Sequence, residues 1–214
     1  SEWCMKYAKA HGIPCINTVH SQVFPDVLGF TKIKWFAKLL SRHLVRKVMF
    51  KHNLVFSLNE RMDDYIRNFG KIKPNDERYC QSVVVSNGTN YELANSEQKK
   101  KYREDAKTKF GLSYEDNVLL FVGRHIKEKG LFLIADALKV LLKTHNNWKM
   151  VFVGDGPERE NLQDYINELG LAGKVQLMGK IFDINILKSI YSVAKLFVFP
   201  SLYDVDCIVK REAA

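Results

Sequence analysis

Two carboxylates, Asp204 and Glu212, stand near the end of the chain in SLYDVDCIVKREAA, just after the apolar run LFVFP. If that run is a strand whose loop feeds a helix beginning near Cys207, Asp204 sits at the sheet edge and Glu212 inside the helix. Carboxylates so placed are good acceptors for sugar hydroxyls. Upstream, FVGRHIKEKG sets Arg124 and Lys129 beside a turn opened by Gly123. Two cations next to the leading amides of a helix can seat phosphate oxygens. In Gly154-Asp155-Gly156-Pro157 the glycines permit close backbone approach. Pro157 suits a first helical position there, and Glu158 and Glu160 suit the first turn. Taken singly, these stretches also read as solvated charges or a well-capped helix, so their order along the chain has to decide.

The elements that must position these residues alternate between strand and helix. NVLLFVGR, WKMVFVG, KVQLMG and KLFVFP read as strands, separated by helices over 129–144, 157–169 and 184–193. Runs rich in Val, Leu and Phe between amphipathic helices predict a parallel sheet covered on both faces, with ligands at the carboxyl ends of its strands. In the first half, WCMKYAKAHG reads as a helix closed by Gly12, IPCINTVH as a buried strand, and 31–51 as a helix. NLVFSL is then a strand, ERMDDYIRNFG a helix stopped by Gly70, and QSVVVSNG a strand ending in a turn. The polar stretch 91–116 marks the change of composition. The expected division is 1–95, a linker or surface helix over 96–116, and 117–214.

The succession FVGR-x4-KG, VFVGDGPE, KVQLMGK and LFVFPSLYD-x7-EAA resembles the donor domain of the group 1 glycosyltransferases, retaining nucleotide-sugar-dependent enzymes with the GT-B fold. The resemblance covers 118–214. It implies that Arg124 and Lys129, with Gly123 and Gly154, meet the donor's pyrophosphate, and that Gly179 and Lys180 line the base pocket. It also implies that Asp204 contacts the donor sugar and Glu212 the ribose, in the places of a Glu-x7-Glu pair. Asp204 is one methylene shorter than the usual Glu, and Asp206-Cys207 replaces a Phe-Gly whose amides meet phosphate. More weakly, AKAHGIPCINTVHS and SVVVSNGTN resemble the acceptor-side domain of the same family, with Ser86 in place of a Pro. That likeness puts His20 in a cleft beside the reacting sugar. The implied fold is α/β, two Rossmann-like parallel-sheet domains facing a cleft. The implied reaction needs a UDP- or GDP-sugar co-substrate, an acceptor glycan or lipid-linked sugar, and neither metal nor other cofactor. Polysaccharide, glycolipid or cell-envelope glycan synthesis is the expected setting. A nucleotide-sugar epimerase or a non-catalytic nucleotide-sugar-binding scaffold would use the same donor site.

Composition bounds the rest. With 214 residues and 46% hydrophobic content the chain can bury one large core or two smaller ones. No apolar run reaches the ~18–20 residues of a membrane span. Cys4, Cys15, Cys80 and Cys207 form no C-x-x-C pair, and buried reduced thiols in a cytoplasmic protein are expected. Asn87-Gly88-Thr89 fits a glycosylation acceptor, and in the absence of a secretory signal it reads as a turn. The net charge of +9 is concentrated in 31–51, which holds Lys32, Lys34, Lys38, Arg42, Arg46, Lys47 and Lys51 and no acid. Phe36, Leu40, Leu44 and Val48 lie at helical spacing within it. Such a helix either packs a core with a basic back or lies on an anionic membrane, which would place the protein at the inner face of the plasma membrane. A nucleic-acid partner is not expected, because no recognised module accompanies the basic patch. Starting with Ser and lacking the first strands of an acceptor domain, the chain is expected to be an internal fragment, inactive by itself.

Overall fold

The computed structural model describes residues 2–214 apart from positions 74, 78, 89–93 and 203, and the side chains of residues 2 and 50. Thr89, the third residue of the glycosylation pattern, lies outside the described residues. The chain forms two compact units, 1–88 with 204–207, and 89–203 with 208–214.

In the second unit, β4 (Asn117–Val122), β5 (Trp148–Val153), β6 (Val175–Gly179) and β7 (Ala194–Phe197) form a wholly parallel sheet in the order β6-β5-β4-β7. Period-two alternation explains why its strands read as unbroken apolar runs. Leu119, Phe121, Met150 and Phe152 point to one face, where α6 (Leu131–Leu141) and α7 (Arg159–Glu168) bring Leu131, Ile134, Leu138, Leu162 and Ile166. Val118, Leu120, Val122, Val151 and Val153 point to the other face. There α5 (Ser96–Phe110) and α8 (Ile184–Val193) supply Ala106, Ile190 and Val193. The helix expected as a linker is therefore part of this unit. It opens on a reciprocal cap between Asn95 and Gln98 and ends at Gly111 in the left-handed region. Helix α7 starts two residues after Pro157, with Glu158 as its N-cap.

The first unit holds a second parallel sheet, β1 (Ile16–Val19), β2 (Leu54–Ser57) and β3 (Gln81–Val84), in sequential order. Helix α1 (Glu2–Ala10) precedes it, and α2 (Val23–Thr31), α3 (Lys34–Lys51) and α4 (Glu60–Gly70) lie between its strands in sequence. Val45 and Met49 of α3, Val55 of β2, Met62 and Ile66 of α4, and Ile72 make its core. Asn59 caps α4 by accepting from the Met62 N–H at 2.8 Å.

Several expectations change in this unit, among them the burial of β1, whose Ile16 is exposed. Helix α2 is additional, carrying Pro25 in its first turn, where no intrahelical donor is needed. Gly70 does not stop α4; Lys71 takes the left-handed turn at φ 53°. A Cβ on Gly70 would lie 3.1 Å from both Ile72 and Val45, so glycine is there for packing. On α3 the buried stripe is Ala37, Ser41, Val45 and Met49, one position beyond the expected Phe36, Leu40, Leu44 and Val48.

Candidate functional site

In the second sheet the strand order reverses beside β4, with β5 and β6 on one side and β7 on the other. The carboxyl ends of β4 and β7 therefore flank the crevice in which open α/β sheets bind ligands. The loop after β4 carries Gly123, Arg124 and a 3₁₀ turn over Lys127–Lys129; the loop after β7 carries Phe199 to Leu202. The two are joined backbone to backbone. The Leu202 N–H donates to the Glu128 carbonyl at 2.9 Å. A Cβ on Gly130, at φ +71°, would come 2.8 Å from the Pro200 carbonyl oxygen. Only glycine fits that approach.

Gly123, Gly154 and Gly179 come together as a ridge of main chain. The Gly123 N–H donates to the Val153 carbonyl at 3.0 Å, and the Gly154 N–H to the Gly179 carbonyl at 2.8 Å. At Gly154, φ is +129° and a Cβ would sit 1.9 Å from the Gly123 oxygen. The sequence singled out these three glycines separately, and the fold stacks them across β4, β5 and β6. Arg124 is exposed directly after the ridge, as is Lys180 after β6. Lys129 holds its ammonium 5.0 Å from the centre of the Phe199 ring, and Lys210 lies 5.5 Å from the same ring. Helix α6 has no side-chain cap at Gly130, so no N-cap side chain accepts from its leading amides. Cations around uncapped helix amides attract phosphate oxygens.

Glu212, on α9 (Ile208–Glu212), accepts a hydrogen bond from Tyr191 Oη at 3.1 Å. It lines a cavity of about 350 Å³ with Tyr102, Arg103 and Tyr114. There the Arg103 guanidinium lies 3.6 Å from the centre of the Tyr114 ring. His20, Asp204 and Cys207 belong to the first unit. His20 is exposed at the carboxyl end of β1. In the segment 204–207, Val205 joins the core of the first unit, and its carbonyl accepts from Asn59 Nδ2. The Asp206 carboxylate accepts from the Asn87 N–H at 3.1 Å. The residue that replaces a phosphate-facing phenylalanine in the resemblance is thus held by a backbone donor. Among the described residues, no three His, Cys, Asp or Glu side chains are gathered as a metal site.

Sequence reasoning passed over Phe199, Lys210 and His125. The signal for Phe199 was the aromatic alternation of LFVFP, since Phe121, Phe197 and Phe199 stack with ring centres under 6 Å apart. His125 is wholly buried, with its ring 6.3 Å from Phe121 and 6.2 Å from Phe152.

Comparison with known proteins bears on the family and the fold. The family described as glycosyl transferases group 1 matches residues 102–214, more than half of the chain. Alpha-D-kanosaminyltransferase of Streptomyces kanamyceticus is 27% identical over 210 residues, covering 94% of this chain and 51% of that protein. Alpha-monoglucosyldiacylglycerol synthase of Streptococcus pneumoniae is 26% identical over 204 residues, 94% of this chain and 44% of that one. The chain therefore spans about half the length of these relatives. Among solved structures, the pneumococcal O-GlcNAc transferase GtfA in complex with UDP and GlcNAc superposes with a TM-score of 0.70. It is 14% identical, and the match covers 99% of this chain and 37% of that one. The two parallel α/β units are those of the GT-B fold, and the chain belongs to the group 1 glycosyl transferases.

Proposed function

We propose that the protein containing this chain transfers a sugar from a nucleotide-sugar donor to an acceptor hydroxyl with retention of anomeric configuration. The observation that carries this reading is the meeting of the loops after β4, β5, β6 and β7 at the carboxyl edge of the second sheet. There a main-chain ridge of three glycines lies beside Arg124, Lys129 and Lys210. A nucleoside diphosphate presents what such an edge binds: several anionic oxygens and little else that is charged. In the proposed reaction the bond from the anomeric carbon to the diphosphate breaks, and Arg124 and Lys129 offset the charge that develops on the leaving oxygens. The acceptor oxygen bonds to that carbon from the leaving-group face, and its proton passes to a donor phosphate oxygen. Asp204 and His20 are proposed to meet the sugar, Gly179 and Lys180 the base, Cys207 a phosphate and Glu212 the ribose. UDP or GDP is the proposed leaving group, and the chemistry as written uses no metal. The GtfA structure, a complex with UDP and GlcNAc, supports a sugar-nucleotide donor.

The experiment is incubation of the whole protein with UDP- and GDP-sugars, with and without glycan and lipid-linked acceptors. The expected result is nucleoside diphosphate release that rises with one acceptor and gives a product of unchanged anomeric configuration. Release of an altered nucleotide-sugar without acceptor would instead identify an epimerase, and no turnover with any donor would leave a scaffold.

A lipid surface is part of the same proposal, favoured by the corner between α2 and α3. Phe30 is 90% exposed, Trp35 71% and Leu39 59%, and Lys32, Lys34 and Lys38 surround them. Arg42 and Arg46 donate through Nε to the Phe69 carbonyl and to Tyr79 Oη. Aromatic anchors ringed by lysine suit an anionic bilayer at the cytoplasmic face. Sedimentation with phosphatidylglycerol vesicles should carry the protein down and should fail for Trp35→Glu/Leu39→Glu. Equal sedimentation of both proteins would contradict it.

A further inference from the structure

His125 is a histidine in a place built for a hydrocarbon. Its side chain is 0% exposed, its ring packs beside both Phe121 of β4 and Phe152 of β5, and neither ring nitrogen has a hydrogen-bond partner among the described residues. Leaving buried polar atoms unmatched destabilises a fold, and a phenylalanine or leucine here would avoid that cost. The main chain at the same residue is the clasp between two loops. The His125 N–H donates to the Asp155 carbonyl at 2.9 Å, and the His125 carbonyl accepts from the Glu158 N–H at 3.0 Å. Gly156 lies so close that a Cβ there would be 2.4 Å from the His125 oxygen. Arg124 precedes this clasp directly and Lys129 follows it within one turn.

We propose that His125 is the positioning residue of the loop after β4, holding Arg124 and the Lys127–Lys129 turn in their phosphate-binding places only while its ring is uncharged. The inference rests on the donor-site reading above for its functional meaning and on the packing of the ring for its physical basis. An imidazolium has two N–H donors and needs acceptors for both. What faces the ring is aromatic from β4 and β5. From α7 comes the Arg159 guanidinium, whose charge repels an imidazolium. Among the described residues, the charge of favourable sign acting on it is Asp155, shared with Arg159 in an ion pair of 3.9 Å. In the same loops Lys127 pairs with Glu158 at 3.9 Å.

Burial is the largest influence on His125, the Arg159 charge adds to it, and Asp155 opposes both, so the group ionises below its ordinary value of 6.5. The folded loop thus binds fewer protons than the open one. The contribution of the clasp is complete above about pH 6.5 and is lost as pH falls below it. A ring that ionises at its ordinary value in the open loop and stays neutral in the closed one favours opening by up to about tenfold more at pH 5.5 than at pH 7.5.

The test is amide exchange at His125 and Glu158, corrected for intrinsic rate, in the wild type and in His125→Phe across pH 7.5 to 5.5. It is paired with titration by UDP-glucose and GDP-mannose, whose diphosphate diesters gain no proton in that range. Protection of both amides should fall in the wild type, by up to about tenfold, and stay level in the variant. The affinity for whichever sugar nucleotide binds should weaken over the same range in the wild type alone. Identical pH profiles for the two proteins, or a flat wild-type profile, would overturn the proposal. If neither probe binds at pH 7.5, the donor reading fails while the exchange result still decides the role of His125. Should His125→Phe not fold, ring resonances of the wild type decide: a ring titrating at or above 6.5 rejects the inference, and one still neutral below pH 6 supports it.

Discussion

The two parallel sheets are built to different degrees of closure. Five of six residues in β4 and four of six in β5 are buried, because helices cover both faces of that sheet. In the first unit, β2 alternates buried with half-buried residues, while Val83 and Val84 of β3 and Ile16 of β1 are exposed. The loops follow their sheets. After β4, β5 and β6 the main chain itself makes the surface, with an approach at Gly154 that only glycine permits. After β1 the candidate group is one exposed side chain, His20. A surface made of backbone is fixed before a ligand arrives, whereas an exposed side chain must be ordered when its ligand arrives. The proposed nucleoside diphosphate would thus meet main chain already in place in the second unit, and His20 of the first would have to be ordered.

The strongest way to break this contrast is at the glycine ridge. Gly154→Ala must displace the Gly123 carbonyl and hold a left-handed backbone, so it should cost about 3 kcal/mol or more in urea unfolding. Gly173→Ala, on the same unit with open space around it, should change stability by less than about 0.5 kcal/mol. Similar values for the two would show that the ridge is not rigid.

The next contrast is between cores. Phe121→Ala removes a fully buried ring that meets Phe152 and Phe199 and should cost about 3–5 kcal/mol. Val84→Ala, 44% exposed, should cost under about 1 kcal/mol. Equal losses would mean that the first sheet is better covered than its exposure indicates.

The smallest effect sharpens the comparison by pH. Burial pushes the Asp63 carboxyl up, but hydrogen bonds from Ser82, Arg67 and Ser57, with the Arg67 charge, outweigh it and hold the group below 3.8. Its contribution to the first unit is therefore complete above about pH 4 and fades as pH falls through the lowered value. Amide protection in β2 and β3 should persist to that point, long after the clasp at His125 has loosened. Loss of both together would contradict separate acid responses.

How much of this was legible in the sequence depended on whether a residue's neighbours were close along the chain. Strands β4 and β5 announced themselves because both faces are buried, so alternation does not interrupt the apolar run. Helix α2 did not, since Pro25 and Gly29 broke its pattern within nine residues. On α3 the buried stripe passes through Ser41, a residue that no hydrophobic period selects, and this shifted the expected face by one position. Gly123 was readable as a turn and Gly154 as a place of close backbone approach, but not their stacking with Gly179, which follows from parallel register across β4, β5 and β6. His125 looked like one more charge in GRHIKEKG. Its burial is set partly by Phe152, which lies 27 residues away.

If the carboxyl edge of the second sheet holds a nucleoside diphosphate through Arg124 and its neighbours, that contact can be weighed directly. The measurement is calorimetric titration of the whole protein with UDP and with GDP, repeated on Arg124→Ala. One nucleotide should bind, and the variant should lose about 1.5–3 kcal/mol, the range for a hydrogen bond to a charged group. Failure of both nucleotides to bind folded protein, or equal affinity in the variant, would contradict the assignment.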